Sequence, residues 1–159
     1  MAKVLIIYYS RGGNVREMAR SVQEGAASVP GAHVDCRPVQ EVTPEDLLHA
    51  DAIIMGSPVY YGTMASELKK LIDDSVAFHG SLVGKVGGAF ASSGNVGGGN
   101  ETTIMDILKV WLIHGMIVPG AAEGDHYGPV AIGRPDQRAA NGCLHLGKMI
   151  AELAKRLHG

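Results

Sequence analysis

The sequence predicts an α/β fold in which five parallel strands form one sheet with helices packed on both faces. Three observations carry that reading. The run Val4 to Tyr9 is six large, mostly β-branched or aromatic residues, the mark of a strand buried on both sides. Apolar runs then alternate with segments of helical period five times along the chain, which requires crossovers between parallel strands. The connections also differ by position: those after strands one, three and four (10–14, 56–62 and 92–100) are rich in Gly, Ser, Asn or aromatics. Pro30–Gly31 and Gly80–Lys85, at the other edge, read as plain turns.

The elements follow in order. After the first strand, Ser10-Arg11-Gly12-Gly13-Asn14 breaks the apolar run, and Val15 opens a helix with Val15, Met18, Val22 and Ala26 on one face. His33 to Val39 alternates as a second strand. Thr43-Pro44-Glu45-Asp46 starts a short helix, with proline at the first helical position and acids in the first turn. Asp51 to Met55 is the third strand, and Met64 to Asp74 is a helix with Leu68, Leu71 and Ile72 inward. Val86 to Ala91 is the fourth strand. The helix Glu101 to His114 carries Ile104, Ile107, Leu108 and Trp111 on one face, which makes Trp111 a core residue, and Gly115 ends it. Met116 to Pro119 is expected to start the fifth strand, with a second short strand at Val130 to Ile132 in a glycine-rich stretch. The last helix runs from about Asp136 to Leu157.

Composition sets bounds. The 159 residues make one domain, 1–159, with 46% hydrophobic and 19% charged residues, enough to bury a core. A net charge of −2 gives no electrostatic reason to expect nucleic acid or an acidic membrane surface. No apolar run approaches the roughly 20 residues of a membrane span, and the start lacks the zones of a signal peptide. Cys36 and Cys143 form no C-x-x-C and read as buried small hydrophobes in a reducing compartment, the cytoplasm. The seven histidines show no metal-ligand spacing, Ser57 is not in G-x-S-x-G, and Ser92 and Ser93 have no evident histidine partner.

In parallel sheets ligands sit at the carboxyl ends of the strands, beside the reversal of strand order. A strand, a Ser/Gly/Asn turn and a helix start surround an anion with N–H groups and the positive end of the helix dipole. Neither G-x-x-x-x-G-K-[ST] nor G-x-G-x-x-G is present, so from this turn alone a phosphate cradle and a plain connection both stay open. The three loops together point to a flat, polar-edged ring with a phosphorylated tail. Ser10, Asn14 and the N–H groups of Arg11 to Val15 would hold the phosphate. Pro58, Tyr60 and Tyr61 would offer apolar and aromatic surface, and Gly94 to Gly98 would bring backbone close to a ring edge.

The segments YYSRGGNVREMARSVQEGA, GSPVYYGTMASELKKLIDD, ASSGNVGGGNETT and LIHGMIVPG resemble the flavodoxin-like NAD(P)H:quinone oxidoreductases of the tryptophan-repressor-binding-protein (WrbA) type, nearly end to end. The resemblance implies a three-layer αβα sandwich with strand order 2-1-3-4-5. It also implies a bound FMN, hydride transfer from NAD(P)H to the flavin, and two electrons passing together to a quinone. By position it places Ser10, Arg11, Gly12, Gly13, Asn14 and Val15 on the FMN phosphate, with Pro58, Val59, Tyr60 and Tyr61 beside the isoalloxazine. Ser92, Ser93, Gly94, Asn95, Val96, Gly97 and Gly98 fall at its pyrimidine side. His114 matches a histidine that contacts the flavin and is the one candidate catalytic residue; read without the resemblance it is a capping or packing residue. A homodimer or homotetramer is implied as well.

The chain departs from the family pattern in four places. Gly12 stands where the phosphate loop carries an aromatic, and a tryptophan over the substrate side is missing, with Ala77 or Phe78 in its region. The glycine loop is one residue longer, and Arg37 to Asp51 lacks an insertion. Phe78, followed by His79, is the candidate substrate-side substitute. Asp125-His126-Tyr127 adds His126 as a second substrate candidate, against the reading of an ordinary surface loop. A one-electron flavodoxin carrier is the alternative, which the dispersed acids argue against; a third reading keeps the fold and drops the flavin.

Overall fold

The computed structural model describes residues 1–159. The strands are β1 (Ala2–Tyr8), β2 (Ala32–Pro38), β3 (Ala52–Pro58), β4 (Val86–Ser93) and β5 (Val130–Ile132). The helices are α1 (Asn14–Ala27), α2 (Pro44–His49), α3 (Ser66–Asp74), α4 (Asn100–Ile113) and α5 (Gln137–His158), with 3-10 turns at Val39–Glu41 and Ser75–Phe78. All pairings are parallel and the order is β2-β1-β3-β4-β5, as expected. The order reverses between β1 and β3, so the cleft predicted for such a sheet opens beside their carboxyl ends.

Strand alternation splits the apolar residues between two cores. Val4, Ile6, Ile54 and Phe90 pack under α1 and α5, whereas Leu5, Ile7, Ile53, Met55 and Ala89 pack under the remaining helices. The helices α1 and α5 cross at contact distance because of paired glycines. A Cβ on Gly25 would lie 2.0 Å from the Leu144 carbonyl oxygen, and one on Gly147 2.0 Å from that of Val22. Trp111 is fully buried and its indole N–H donates to the Gly88 carbonyl at 3.1 Å. Cys143 is buried and burial pushes its thiol up to about 12; Cys36 is only half-buried, and burial pushes its thiol up to about 11.

Element ends shift by a residue or two from the sequence reading. Strand β3 runs on to Pro58, where that reading ended the strand at Met55 and began a loop at Gly56. Two further differences shape the far side of the sheet. First, β4 continues to Ser93 because Ser92 pairs with Pro58 on one side and Ser93 with Ile132 on the other. Second, the fifth strand is Val130–Ile132, and of the expected strand at 116–119 only a bridge between Ile117 and Val86 forms. The cause is Pro119. Ile117 donates to Lys85 O and accepts from Gly87 N, both at 2.8 Å. The next donor in that parallel ladder would be residue 119, and proline has no N–H. The chain leaves the sheet there and returns at Val130.

Candidate functional site

The β1–α1 turn is a set of donors without protein acceptors. Gly13 N–H is occupied, donating to Ser10 Oγ at 3.1 Å. The N–H groups of Arg11, Gly12, Asn14, Val15 and Arg16 have no partner within the protein. Gly13 occupies the N-cap of α1 at φ 101, where a side-chain-bearing residue is strained, and supplies no side-chain cap. A second helix start repeats the arrangement: Gly99 is the N-cap of α4 at φ 105, again without a side-chain cap. Helices α2 and α5 are closed instead. Thr43 and Asp46 form a capping box on α2, and Asp136 accepts from Ala139 N at 2.8 Å on α5. Helix α3 also lacks a side-chain cap and begins at Ala65, whereas α1 and α4 begin at left-handed glycines, border the predicted cleft and present positive dipole ends and bare N–H groups to it.

The end of β3 and the loop after it are tied together by hydrogen bonds. Ser57 is fully buried; its Oγ donates to Pro58 O at 2.7 Å and accepts from Ala65 N–H at 2.9 Å. Tyr60 and Thr63 exchange backbone hydrogen bonds at 3.0 and 3.2 Å around Tyr61 (φ 50) and Gly62 (φ 79). Positive φ at both central residues is the signature of a type I′ turn. Tyr61 is the sole non-glycine residue with positive φ, and its side chain is fully exposed.

Side-chain contacts and one backbone hydrogen bond fasten the three loops to one another. The Tyr9 and Tyr60 rings meet edge to face at 6.3 Å between centroids, linking the first loop to the second. Thr102 Oγ1 donates to Gly62 O at 2.7 Å, and Val59 N–H donates to Ser92 O at 3.0 Å, linking the second to the third. At Gly99 a Cβ would come within 2.9 Å of Gly62 Cα, so glycine is required for the loops to touch. Burial, and the Glu67 carboxylate bonded beside it, push the Tyr9 phenol above its ordinary range.

Within the glycine loop, Ser93 Oγ donates to Asn95 O and accepts from Asn100 Nδ2, both at 2.8 Å. Ser92 Oγ donates to Gly133 O at 2.6 Å. Both hydroxyls are therefore taken up inside the protein, that of Ser92 in holding β4 to the turn after β5 and that of Ser93 in tying the glycine loop to the start of α4, and it is backbone that faces outward. The N–H groups of Gly94, Asn95, Val96 and Gly97 have no protein partner, Val96 is 85% exposed, and a Cβ on Gly94 or Gly97 would meet nothing. These donors, with Tyr61 and Gly62 N–H, line an open rim. Such a rim can cradle a phosphate at one end and a ring with acceptor atoms at the other.

The structure thus brings Ser10 to Val15, Pro58 to Tyr61 and Ser92 to Gly98 to one edge. It does not bring His114, Phe78 or His126 there. His114 follows α4, whose 14 residues carry it about 20 Å from the glycine loop at 1.5 Å per residue. It is buried at the opposite edge, with Nε2 3.1 Å from Ser75 Oγ and its ring 6.0 Å from that of His79. Since Ser75 donates its one hydroxyl hydrogen to Ile72 O at 2.6 Å, His114 Nε2 must carry the proton. Its Nδ1 has no partner. Burial, then His79, lower its proton affinity. That is a packing role within one chain. Phe78, half-buried, ends the 3-10 turn at the same far edge. His126 lies on the excursion that splits β5, its Nδ1 2.8 Å from Ala121 O. It walls a cavity of about 580 Å³ against Arg138, Asn141 and His145, which shares no wall with the three loops.

Sequence reasoning missed Ser57, Thr102 and Tyr9, which fix the loops rather than face a ligand. The signal for Thr102 was faint, a hydroxyl one turn into a helix that begins at a glycine run. That for Ser57 was absent, because its acceptor and donor duties depend on the path of the following loop.

Comparisons with known proteins agree with this arrangement. Residues 32–125 match the family described as NADPH-dependent FMN reductase. A protein named flavodoxin from Aquifex aeolicus (strain VF5) is 40% identical over 160 residues, covering 96% of this chain and 86% of that protein. An NAD(P)H dehydrogenase (quinone) of Rhodopseudomonas palustris (strain TIE-1) is 35% identical over 200 residues, covering all of both. The crystal structure of a WrbA-like flavodoxin from Agrobacterium tumefaciens matches 99% of each chain with a TM-score of 0.83 at 25% identity. Sheet order, the rim of bare donors and these likenesses agree: the chain has the flavodoxin-like fold and belongs to the FMN-binding NADPH-dependent FMN reductase family.

Proposed function

We propose that the chain is an NAD(P)H:quinone oxidoreductase of the WrbA type, passing two electrons from NAD(P)H through FMN to a quinone. The observation that carries this is the rim itself. Two uncapped helix starts and a row of bare glycine-loop N–H groups lie at one open edge, and Tyr61 stands fully exposed beside them. FMN would supply the redox chemistry between the nicotinamide and the quinone. The chain's residues hold and tune it. The N–H groups of Arg11 to Arg16 other than Gly13, with Ser10 and Asn14, bind the phosphate. Val59, Tyr60 and Tyr61 would flank the ring and shield it from water. The N–H groups of Gly94 to Gly97 would lie at the pyrimidine edge and stabilise negative charge there. Ser57, Ser92, Ser93 and Thr102 keep that geometry fixed. No nucleophile or general base from the chain is required, and none stands among the three loops.

The quinone and the nicotinamide are the small-molecule partners. The open rim, with nothing near Gly12, Gly94 or Gly97, leaves room for them to reach the ring. The reading takes residues 1–159 as one domain, working as a homodimer or homotetramer. Exposed Val76, Val83, Leu112 and Ile113 at the far edge support the assembly. No helix is long and apolar enough to cross a membrane. Two unpaired cysteines support a cytoplasmic site.

A second reading, a one-electron carrier, is favoured by one observation: the Aquifex flavodoxin aligns over 160 positions, against 200 for the quinone dehydrogenase. The chain of 159 residues therefore lacks segments that the dehydrogenase has. An anaerobic titration of the FMN-loaded protein separates the two. Loss of flavin absorbance with NADH or NADPH, restored by a benzoquinone, supports the oxidoreductase. A flavin that stays oxidised with both nucleotides, and accepts electrons singly from a chemical reductant, makes it a carrier.

A further inference from the structure

Arg16 lies in the first turn of α1, three residues after Gly13. Helical side chains lean toward the N-terminus, and this one folds back over the turn: its Nη2 is 3.6 Å from where a Cβ would stand on Gly13. No carboxylate holds it. None of the seven ion pairs in the chain includes Arg16. The nearest acid in sequence, Glu17, is engaged by Arg134 at 3.2 Å. An exposed guanidinium thus stands over a row of bare N–H groups with its charge uncompensated.

We propose that Arg16 closes on the phosphate of FMN and makes this site select the phosphorylated flavin over riboflavin. The inference rests on the placement of the phosphate at the β1–α1 turn. A phosphate monoester carries about −1.5 to −2 charges at neutral pH. The helix end offers only about +0.5, and the N–H donors are neutral. Roughly one negative charge is left over. A guanidinium meets it with a planar fork matched to two phosphate oxygens, which an ammonium cannot do. Arg20, one turn further along the same helix and also without an ion pair, lies beyond this reach and is the internal control.

The test measures the affinity of the apoprotein for FMN and, separately, for riboflavin by quenching of flavin fluorescence. Arg16→Gln is expected to weaken FMN about tenfold, between an exposed ion pair and a charge-assisted hydrogen bond in size, and to leave riboflavin unchanged. Arg16→Lys should fall between the two. The FMN loss should shrink as salt rises from about 0.01 M to about 1 M. Equal thermal unfolding of the apo forms keeps the comparison on binding. An equal loss for both flavins, no loss for FMN, or an equal loss from Arg20→Gln overturns the assignment. A wild-type protein that binds FMN no better than riboflavin overturns it as well, while leaving the flavin reading in place. One that binds neither overturns both.

Discussion

Tyr61 offers a test in which stability and cofactor binding should move in opposite directions. It sits at φ 50 in a turn whose next residue, Gly62, is at φ 79. Type I′ turns favour Asn-Gly in these two positions because Asn tolerates the left-handed region. A Tyr pays for that conformation about 1–2 kcal/mol. Its side chain is fully exposed, so removing it forfeits no packing in the apoprotein. Tyr61→Asn should therefore stabilise the apo form by about 0.5–1 kcal/mol. For a chain of this length that is a rise in Tm of about 1–4 °C. The same substitution deletes an aromatic surface at the ring, worth about 0.5–1.5 kcal/mol, so FMN affinity should drop about two- to tenfold. Thermal unfolding of the apoprotein by circular dichroism and a flavin-fluorescence titration measure both. A lower apo Tm would refute the strain argument. An unchanged FMN affinity would refute the placement of Tyr61 beside the isoalloxazine.

Two further outcomes follow from buried polar groups. Ser57→Ala leaves Ala65 N–H buried without an acceptor, which should cost about 1–3 kcal/mol in denaturant unfolding and loosen the aromatic loop; an unchanged midpoint would mean the loop holds its path without the hydroxyl. His114 is held below its ordinary proton affinity by burial and by His79. The unfolded chain, titrating near 6.5, therefore takes up a proton that the folded state resists. Stability from this group is complete above about pH 6.5 and is lost as pH falls below it. His114→Gln should make Tm less dependent on pH between about 7.5 and 5.5; an unaltered slope would show that another group titrates there.

The fold was legible because its signals are local. The six-residue run Val4–Tyr9, the stripe of Leu146, Ile150, Leu153 and Leu157 on α5, and the Thr43–Asp46 capping box each announce their element within a few residues. The fifth strand was misplaced because Met116–Val118 is as apolar as a strand, and the fault lies in a hydrogen bond that Pro119 fails to make with a partner 32 residues earlier, Gly87. The three loops were legible by composition. What composition does not carry is the state of their side chains. Ser92 and Ser93 read as ligand groups, but their hydroxyls are spent on Gly133 and Asn95. Nothing in composition shows that the Arg16 guanidinium leans over Gly13. His114 ends the correct helix, but helix length decides which edge of the sheet it reaches.

The break at Pro119 also bears on how the molecule avoids sticking to itself. An uninterrupted fifth strand would run beside the whole of β4 and present a long row of unpaired donors and acceptors, a template for strands of other molecules. Here β5 is three residues long. The detour between Pro119 and Val130 passes against β4, with Gly128 so close to Ala89 that no side chain fits between them. The opposite border, β2, is guarded differently: Asp35 and Arg37 form an ion pair at 2.9 Å along it, and Pro38 closes its end. Both borders of the sheet are thereby made poor partners for edge-to-edge aggregation.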